Sequence, residues 1–279
     1  MAKVWCITGT SRGLGRVWAL AALERGDSVV ATARDVRSLD GLVQRFPGSV
    51  LPLALDVRDR AAAVAAVAAG AERFGRLDVV VNNAGYGLFG AVEELTEQQV
   101  RDQLETNLLG ALWVTQAVLP VMRAQGHGHL VQVSSIGGVA GFALLGGYNC
   151  SKWALEGLSE ALAQEVGPAG VHVTIVEPGP YSTDWGGDSA VWAPRNPAYD
   201  GLRAARRAAA ARHVAVEPEA TARAVLELVD MAEPPLRLFL GTYPYAIAER
   251  AYAERLATWR AGRALAATAD GVARPAGAS

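Results

Sequence analysis

Cysteine is nearly missing from this chain: of 279 residues only Cys6 and Cys150 are cysteines, and no C-x-x-C spacing occurs. A disulfide framework and a zinc cluster are thereby excluded. Histidine is scarce as well. His127, His129, His172 and His213 form no metal-binding pair and stand in no relation to a serine nucleophile turn, so metalloenzyme and hydrolase chemistry lack their residues. An excess of charge is also absent, with 26 basic against 28 acidic residues and a net charge of −2. No basic face can hold a phosphate backbone, and nucleic acid is not an expected partner. Nowhere do eighteen uncharged apolar residues run together, and "MAKVWCITG" enters a strand pattern without the basic start of a signal peptide. These absences lead us to expect a soluble cytoplasmic protein that needs no membrane.

What is present is a regular alternation. The runs "VWCI", "SVVATA", "VLPLAL", "DVVVNNAG", "HLVQVSS" and "HVTIVEPG" read as strands, separated by longer stretches of helical period. They are nearly continuous in valine, isoleucine and leucine, as strands buried on both faces must be, which predicts a parallel sheet covered by helices above and below. In the helices, Val64, Val67, Ala71 and Phe74 fall on one face, as do Leu104, Leu108, Ala111 and Val118 in the next. Thr96 followed by Gln99 predicts a capping box. The rhythm dissolves between about 180 and 217, where Trp185, Trp192 and Tyr199 stand among glycines and prolines; such an irregular segment is expected to be a lid. The arginines from Arg203 to Arg212 read as a solvated helix face. The stretch 263–279 has too few large apolar groups to order and is expected to be disordered.

"TGTSRGLG", Thr8 to Gly15, follows the first strand directly and precedes a helical pattern. Glycines there let a phosphate approach backbone N–H groups at a helix N-terminus, where the dipole favours negative charge. Tyr148 and Lys152 stand four apart in a helical stretch, so their side chains share a face, and an adjacent ammonium would favour the ionised phenol.

These motifs, with "NNAG" at Asn82 to Gly85, Ser135, "YNCSK" at Tyr148 to Lys152 and "PGPYST" at Pro178 to Thr183, closely resemble the short-chain dehydrogenase/reductase family in its compact single-domain form. The resemblance implies a doubly wound α/β fold of Rossmann type, a three-layer α/β/α sandwich, with one NAD(P)-binding domain over residues 1–262. The segment 180–217 would be its substrate lid and 241–262 a C-terminal extension. It further implies that Gly9, Ser11, Arg12, Gly13, Leu14 and Gly15 cradle the cofactor pyrophosphate, that Asp56 and Val57 meet the adenine, and that Asn83, Ala84, Gly85, Pro178, Gly179 and Thr183 line the remaining cofactor site. Tyr148 would protonate the substrate carbonyl, Lys152 would hold the nicotinamide ribose and lower the tyrosine pKa, and Ser135 would hydrogen-bond the substrate oxygen. Asn107 would anchor the water that leads protons to the lysine.

Arg12 and Arg34 suit a 2′-phosphate, and Ala33 stands where NAD-preferring relatives usually carry an acid, so NADP(H) is expected over NAD. Trp185 and Trp192 would line the substrate pocket with Ser135 and Tyr148. By the same resemblance, two long helices containing Asn107 and Lys152 would pair copies into a homodimer or homotetramer. The expected activity is NADPH-dependent carbonyl reduction or the reverse alcohol oxidation, as in hydroxysteroid- and retinol-dehydrogenase-like members. An NAD-dependent alcohol dehydrogenase and a non-catalytic nucleotide sensor or scaffold on the same fold are the alternatives.

Overall fold

The computed structural model of the protein describes residues 2–187, 189–211 and 216–271. In chain order its elements are β1 (Val4–Ile7), α1 (Gly13–Glu24), β2 (Ser28–Ala33), α2 (Asp40–Arg45), β3 (Val50–Ala54), α3 (Arg60–Phe74), β4 (Val79–Asn82) and β5 (Leu88–Phe89). Then come α4 (Glu97–Leu104), α5 (Gly110–Gln125), β6 (Gly128–Val133), α6 (Gly146–Val166), β7 (Val171–Pro178) and β8 (Val191–Trp192). The chain continues with α7 (Asp200–Ala210), α8 (Ala222–Asp230), β9 (Arg237–Leu240) and α9 (Tyr243–Ala266). Seven strands form one parallel sheet in the order β3-β2-β1-β4-β6-β7-β9. The fold is the Rossmann-type α/β arrangement expected from the sequence.

Strand alternation divides the core into two layers. Trp5 and Ile7 point to the face shared with Trp18, Val225 and Leu228, whereas Val4 and Cys6 point to the face shared with Val67, Val114, Val118 and Met122. Every residue of β1 is buried, which is why its run has no polar member. β9 and the short parallel pair β5–β8 were not legible in the sequence, because two to four residues carry too little periodicity.

Several helix expectations need correction. In α3 the buried face is Ala63, Ala66, Val67 and Gly70, and Val64 is 49 % exposed, because alanine-rich turns leave the apolar face ambiguous by one position. Between α4 and α5 the backbone makes a π-turn over Glu105–Leu109, which rotates the buried face onto Gln103, Asn107 and Ala111 and leaves Leu104 and Leu108 only half-buried. The capping box of Thr96 and Gln99 is present. Arg203 does not belong to a solvated face: it pairs with buried Glu94 and with Asp200. Arg212 and His213 lie outside the described residues. The expected disorder of 263–279 begins too early, since α9 runs to Ala266 and a 3₁₀ turn follows through Asp270; residues 272–279 lie outside the described ones.

Buried His129 yields a stability prediction. Its Nε2 lies 2.9 Å from Thr174 Oγ1. That hydroxyl gives its own proton to Pro235 O at 2.7 Å, so the imidazole Nε2–H must be the donor. Burial, with His172 and Lys3 nearby, pushes its pKa down to about 3. The unfolded chain takes up this proton near pH 6.5, so the contribution is complete above that value and is lost as pH falls toward 3. Urea unfolding should show a loss on the order of 2 kcal/mol by about pH 5 from this residue, and His129→Gln should flatten that part of the profile. Parallel profiles for the two proteins would refute the assignment.

Candidate active site

The carboxyl ends of β1, β4, β6 and β7 carry the loops that hold the sequence motifs, which places these motifs along one edge of the parallel sheet. After β1 the chain turns through Gly9 at φ +71° and Gly13 at φ +60°, a region that favours glycine. α1 then starts with no side-chain cap and no acid in its first turn, leaving the N–H groups of Gly13, Leu14 and Gly15 without helical partners. A Cβ on Gly13 would enter open space, with Thr183 nearest at 3.9 Å. A Cβ on Gly15 would instead come within 2.4 Å of Asn83 Nδ2 and 2.6 Å of Gly9 O. Asn83 braces the loop by donating to Thr8 O at 2.8 Å and Gly9 O at 3.1 Å, while the N–H groups of Asn83 and Ala84 both reach Thr8 Oγ1 at 3.0 Å. Buried Thr8 was missed in the sequence, where it reads as an ordinary strand-end residue. Ser11 and Arg12 are exposed beside this loop.

α6 presents Tyr148, Ser151 and Lys152 toward the end of β6, all buried. Lys152 Nζ donates to Val133 O, the last carbonyl of β6, at 2.7 Å, and stands 5.9 Å from the Tyr148 ring centre. Ser135 stands close enough to the Tyr148 phenol to favour its ionised form, and its hydroxyl accepts from Gly137 N at 3.0 Å. Asn107 sits in the π-turn, donating to Tyr86 O and Ser151 Oγ at 3.1 Å each and accepting from Tyr86 N at 3.1 Å. Ser151 in turn donates to Tyr148 O at 2.7 Å. The asparagine therefore ties the loop after β4 to the turn of α6 that carries the tyrosine.

Burial pushes the Tyr148 phenol up to about 12, with only the Ser135 hydrogen bond acting the other way. Burial also pulls Lys152 down to about 8, opposed by nearby Glu156. In the protein's own field desolvation outweighs the ammonium, whose charge is itself disfavoured there and which is turned toward Val133.

Cations gather at the ends of β2 and β3. Arg34 is exposed beyond Ala33, and Asp35 is occupied by Arg37 and by capping the following turn. Asp56 accepts from Arg58, a residue the sequence reading passed over, and also feels Arg34. Val57 turns its side chain inward against Gly110. Arg12 lies 3.7 Å from Asp184, across the mouth between the glycine loop and the segment after β7. Pro178 ends β7, and Gly179 lies against Pro244 at the start of α9.

The segment expected as a lid is tied down by pairing of β8 with β5. Trp185 meets the Tyr148 ring edge-on at 4.9 Å and Phe89 at 5.0 Å, while Trp192 stacks on Phe89 at 4.5 Å and is 61 % exposed. Tyr199 points elsewhere, its hydroxyl on Glu93. Phe89 is the wall residue that the sequence did not reveal.

Residues 3–193 match the family model described as short chain dehydrogenase. The chain belongs to the short-chain dehydrogenase family. It is 45 % identical over 246 residues to Oxidoreductase BOA17 of Botryotinia fuckeliana, covering 86 % of this chain and 89 % of that one. A short-chain dehydrogenase from Streptomyces avermitilis superposes with a TM-score of 0.90 at 38 % identity, over 96 % of this chain and 98 % of the other. An alcohol dehydrogenase from Thermococcus sibiricus complexed with 5-hydroxy-NADP gives 0.72 at 30 %, over 86 % and 96 % of the two chains. A family member from Burkholderia phymatum in complex with NAD gives 0.77 at 26 %, over 89 % and 92 %.

This short-chain dehydrogenase fits a dinucleotide: the start of α1 is uncapped, Gly13 opens a cradle that a Cβ would fill, Arg12 stands exposed in the same loop, and Arg34 and Arg58 meet at Asp56. Gly15→Ala tests the cradle. The added methyl must displace Asn83 or the Gly9 carbonyl, so stability should fall by about 1–3 kcal/mol and NAD(P)H binding should weaken severalfold. A variant that melts and binds as the parent does would show the loop to be looser than described.

Proposed function

We propose that the protein is an NADPH-dependent carbonyl reductase, or in reverse an alcohol dehydrogenase, acting on a bulky hydrophobic ketone or aldehyde. The observation that carries this reading is the buried Tyr148 phenol beside Ser135, with Lys152 one turn along the same helix. The membership of an oxidoreductase family supports the reaction class.

The loop from Gly9 to Gly15 with Thr183, Arg12 and Arg34 would hold NADP(H), whose reduced form would supply a hydride to the carbonyl carbon. Tyr148 gives its proton to the carbonyl oxygen, and a phenol held protonated by burial is the acid form that reduction needs. Ser135 would donate its single hydroxyl proton to the carbonyl oxygen, stabilising the charge that develops there. Lys152, fixed to the end of β6 by its bond to Val133 O, would keep a positive charge near the phenolate left behind and hold the nicotinamide ribose. Asn107 keeps the loop after β4 and the start of α6 in register, with one carbonyl lone pair left to accept from a water. Trp185 and Phe89 exclude water from the substrate side and favour an apolar body.

The preference for NADP over NAD rests on Arg12 and Arg34, on Ala33 in place of an acid, and on Asp35 being neutralised by Arg37. Pairing of copies through α4–α5 and α6 is part of the same proposal. It must leave room for α9, whose Arg255 stands 4.5 Å over Trp153 on the outer face of α6.

Two measurements test this reading. Tyr148→Phe should bind NADPH within a few-fold of the parent while losing nearly all reduction of an aryl ketone, because only the transition state uses the phenolic proton; comparable turnover would refute the mechanism. Arg34→Ala and Arg12→Ala should each weaken NADPH binding by about 1.5–3 kcal/mol and NADH binding much less. Equal losses for the two cofactors would refute the phosphate assignment.

A further inference from the structure

The lid helix carries a guanidinium that the fold does not use. Arg203 in α7 is fully engaged: it donates to Glu94, to Asp200 and to Asn196 O at 2.9 Å, and it fastens the helix to the body. Arg206, one turn further on, is different. It pairs with no carboxylate among the described residues, and its one hydrogen bond is a long contact of 3.5 Å to Ala143 O. Burial lowers its pKa from the usual arginine value. Most of its five donors are left unmatched in a half-buried place, which is unfavourable for a charged group unless an anion completes it.

Its position says which anion. The guanidinium lies 5.2 Å over the ring of Phe89. Phe89 is buried, touches Trp185 edge-on, and Trp185 in turn touches Tyr148. A chain of ring contacts therefore links the reacting phenol at one end to Arg206 at the other. The cluster between them, with Leu145, Phe142 and Ala190, is apolar. A ligand spanning this cluster needs an apolar body and a negative end, and a planar fork of N–H donors matches a carboxylate.

We propose that Arg206 is a substrate-binding residue for a carboxylate, so that the preferred substrate is a keto acid whose carbonyl and carboxylate are separated by an apolar spacer. This rests on the carbonyl-reductase reading and narrows its substrate class. Cation–π contact with Phe89 holds the guanidinium above the wall while its edge donors stay directed at the ligand.

The test compares a homologous series of aryl keto acids with their methyl esters, using the parent, Arg206→Gln and Arg206→Lys. At the best spacer length the parent should favour the acid by about tenfold or more in kcat/KM, expressed in KM. Arg206→Gln should erase that preference by raising KM for the acid while shifting the ester much less, and Arg206→Lys should retain part of it. Equal effects on acid and ester, or no preference at any spacer length, would overturn the proposal and leave Arg206 as a brace for Phe89. In parallel, calorimetry on the protein alone with 5-phenylpentanoate and its methyl ester reads the subsite without turnover. Carboxylate binding that Arg206→Gln loses at unchanged melting temperature supports the subsite even if no ketone is reduced, in which case the reductase reading alone falls. Absence of carboxylate binding overturns the subsite.

Discussion

The site depends on one constraint, the burial of the Tyr148–Lys152 pair at the end of a sheet strand. Two groups of opposite tendency are removed from water together: the phenol is pushed toward its neutral form and the ammonium loses part of its preference for charge. Lys152 keeps its place because Val133 O, freed at the end of β6, accepts its proton at 2.7 Å. A carbonyl at the end of a parallel strand has no further ladder partner, so the same geometry that ends the strand supplies the anchor. The phenol is then held by packing against Trp185 and by Ser135, with no need of an ion pair.

Around that pair the fold supplies rigidity from unexpected directions. The π-turn at Glu105–Leu109 inserts Asn107 where a regular helix would have placed a leucine, and the asparagine links Tyr86 to Ser151. Behind α6, Arg237 at the start of β9 joins Glu156, Glu160 and Glu177. Burial, together with nearby Glu156, raises Glu177 to about 7, against the pull of Arg237 in the other direction. Glu156 lies one turn beyond Lys152 and favours its charge, which ties the sheet edge electrostatically to the candidate site.

How much of this was legible depended on whether a feature is local. The strand runs and the capping box follow from period and spacing within a few residues, and "TGTSRGLG", "NNAG" and "YNCSK" carry the family resemblance in single short stretches. The structure gives each glycine its own reason, with positive φ at Gly9 and Gly13 and contact with Asn83 at Gly15. What could not be read needs contacts distant in sequence. The sign of the Tyr148 shift depends on total burial and not on the lysine four residues away. Phe89 becomes a wall only because β5 pairs with β8, about a hundred residues later. Arg203 and Arg206 look alike in a run of alanines, yet one meets buried Glu94 and the other an aromatic ring.

The central claim, that burial holds Tyr148 as a protonated acid, is tested most directly by ultraviolet titration of the protein alone, taken as the difference between the parent and Tyr148→Phe. The parent should show no additional tyrosinate absorbance until the pH approaches about 12. An additional ionisation at or below about pH 10, the ordinary value for tyrosine, would contradict the account, because the phenol would then be governed by neighbouring charge and not by its removal from water.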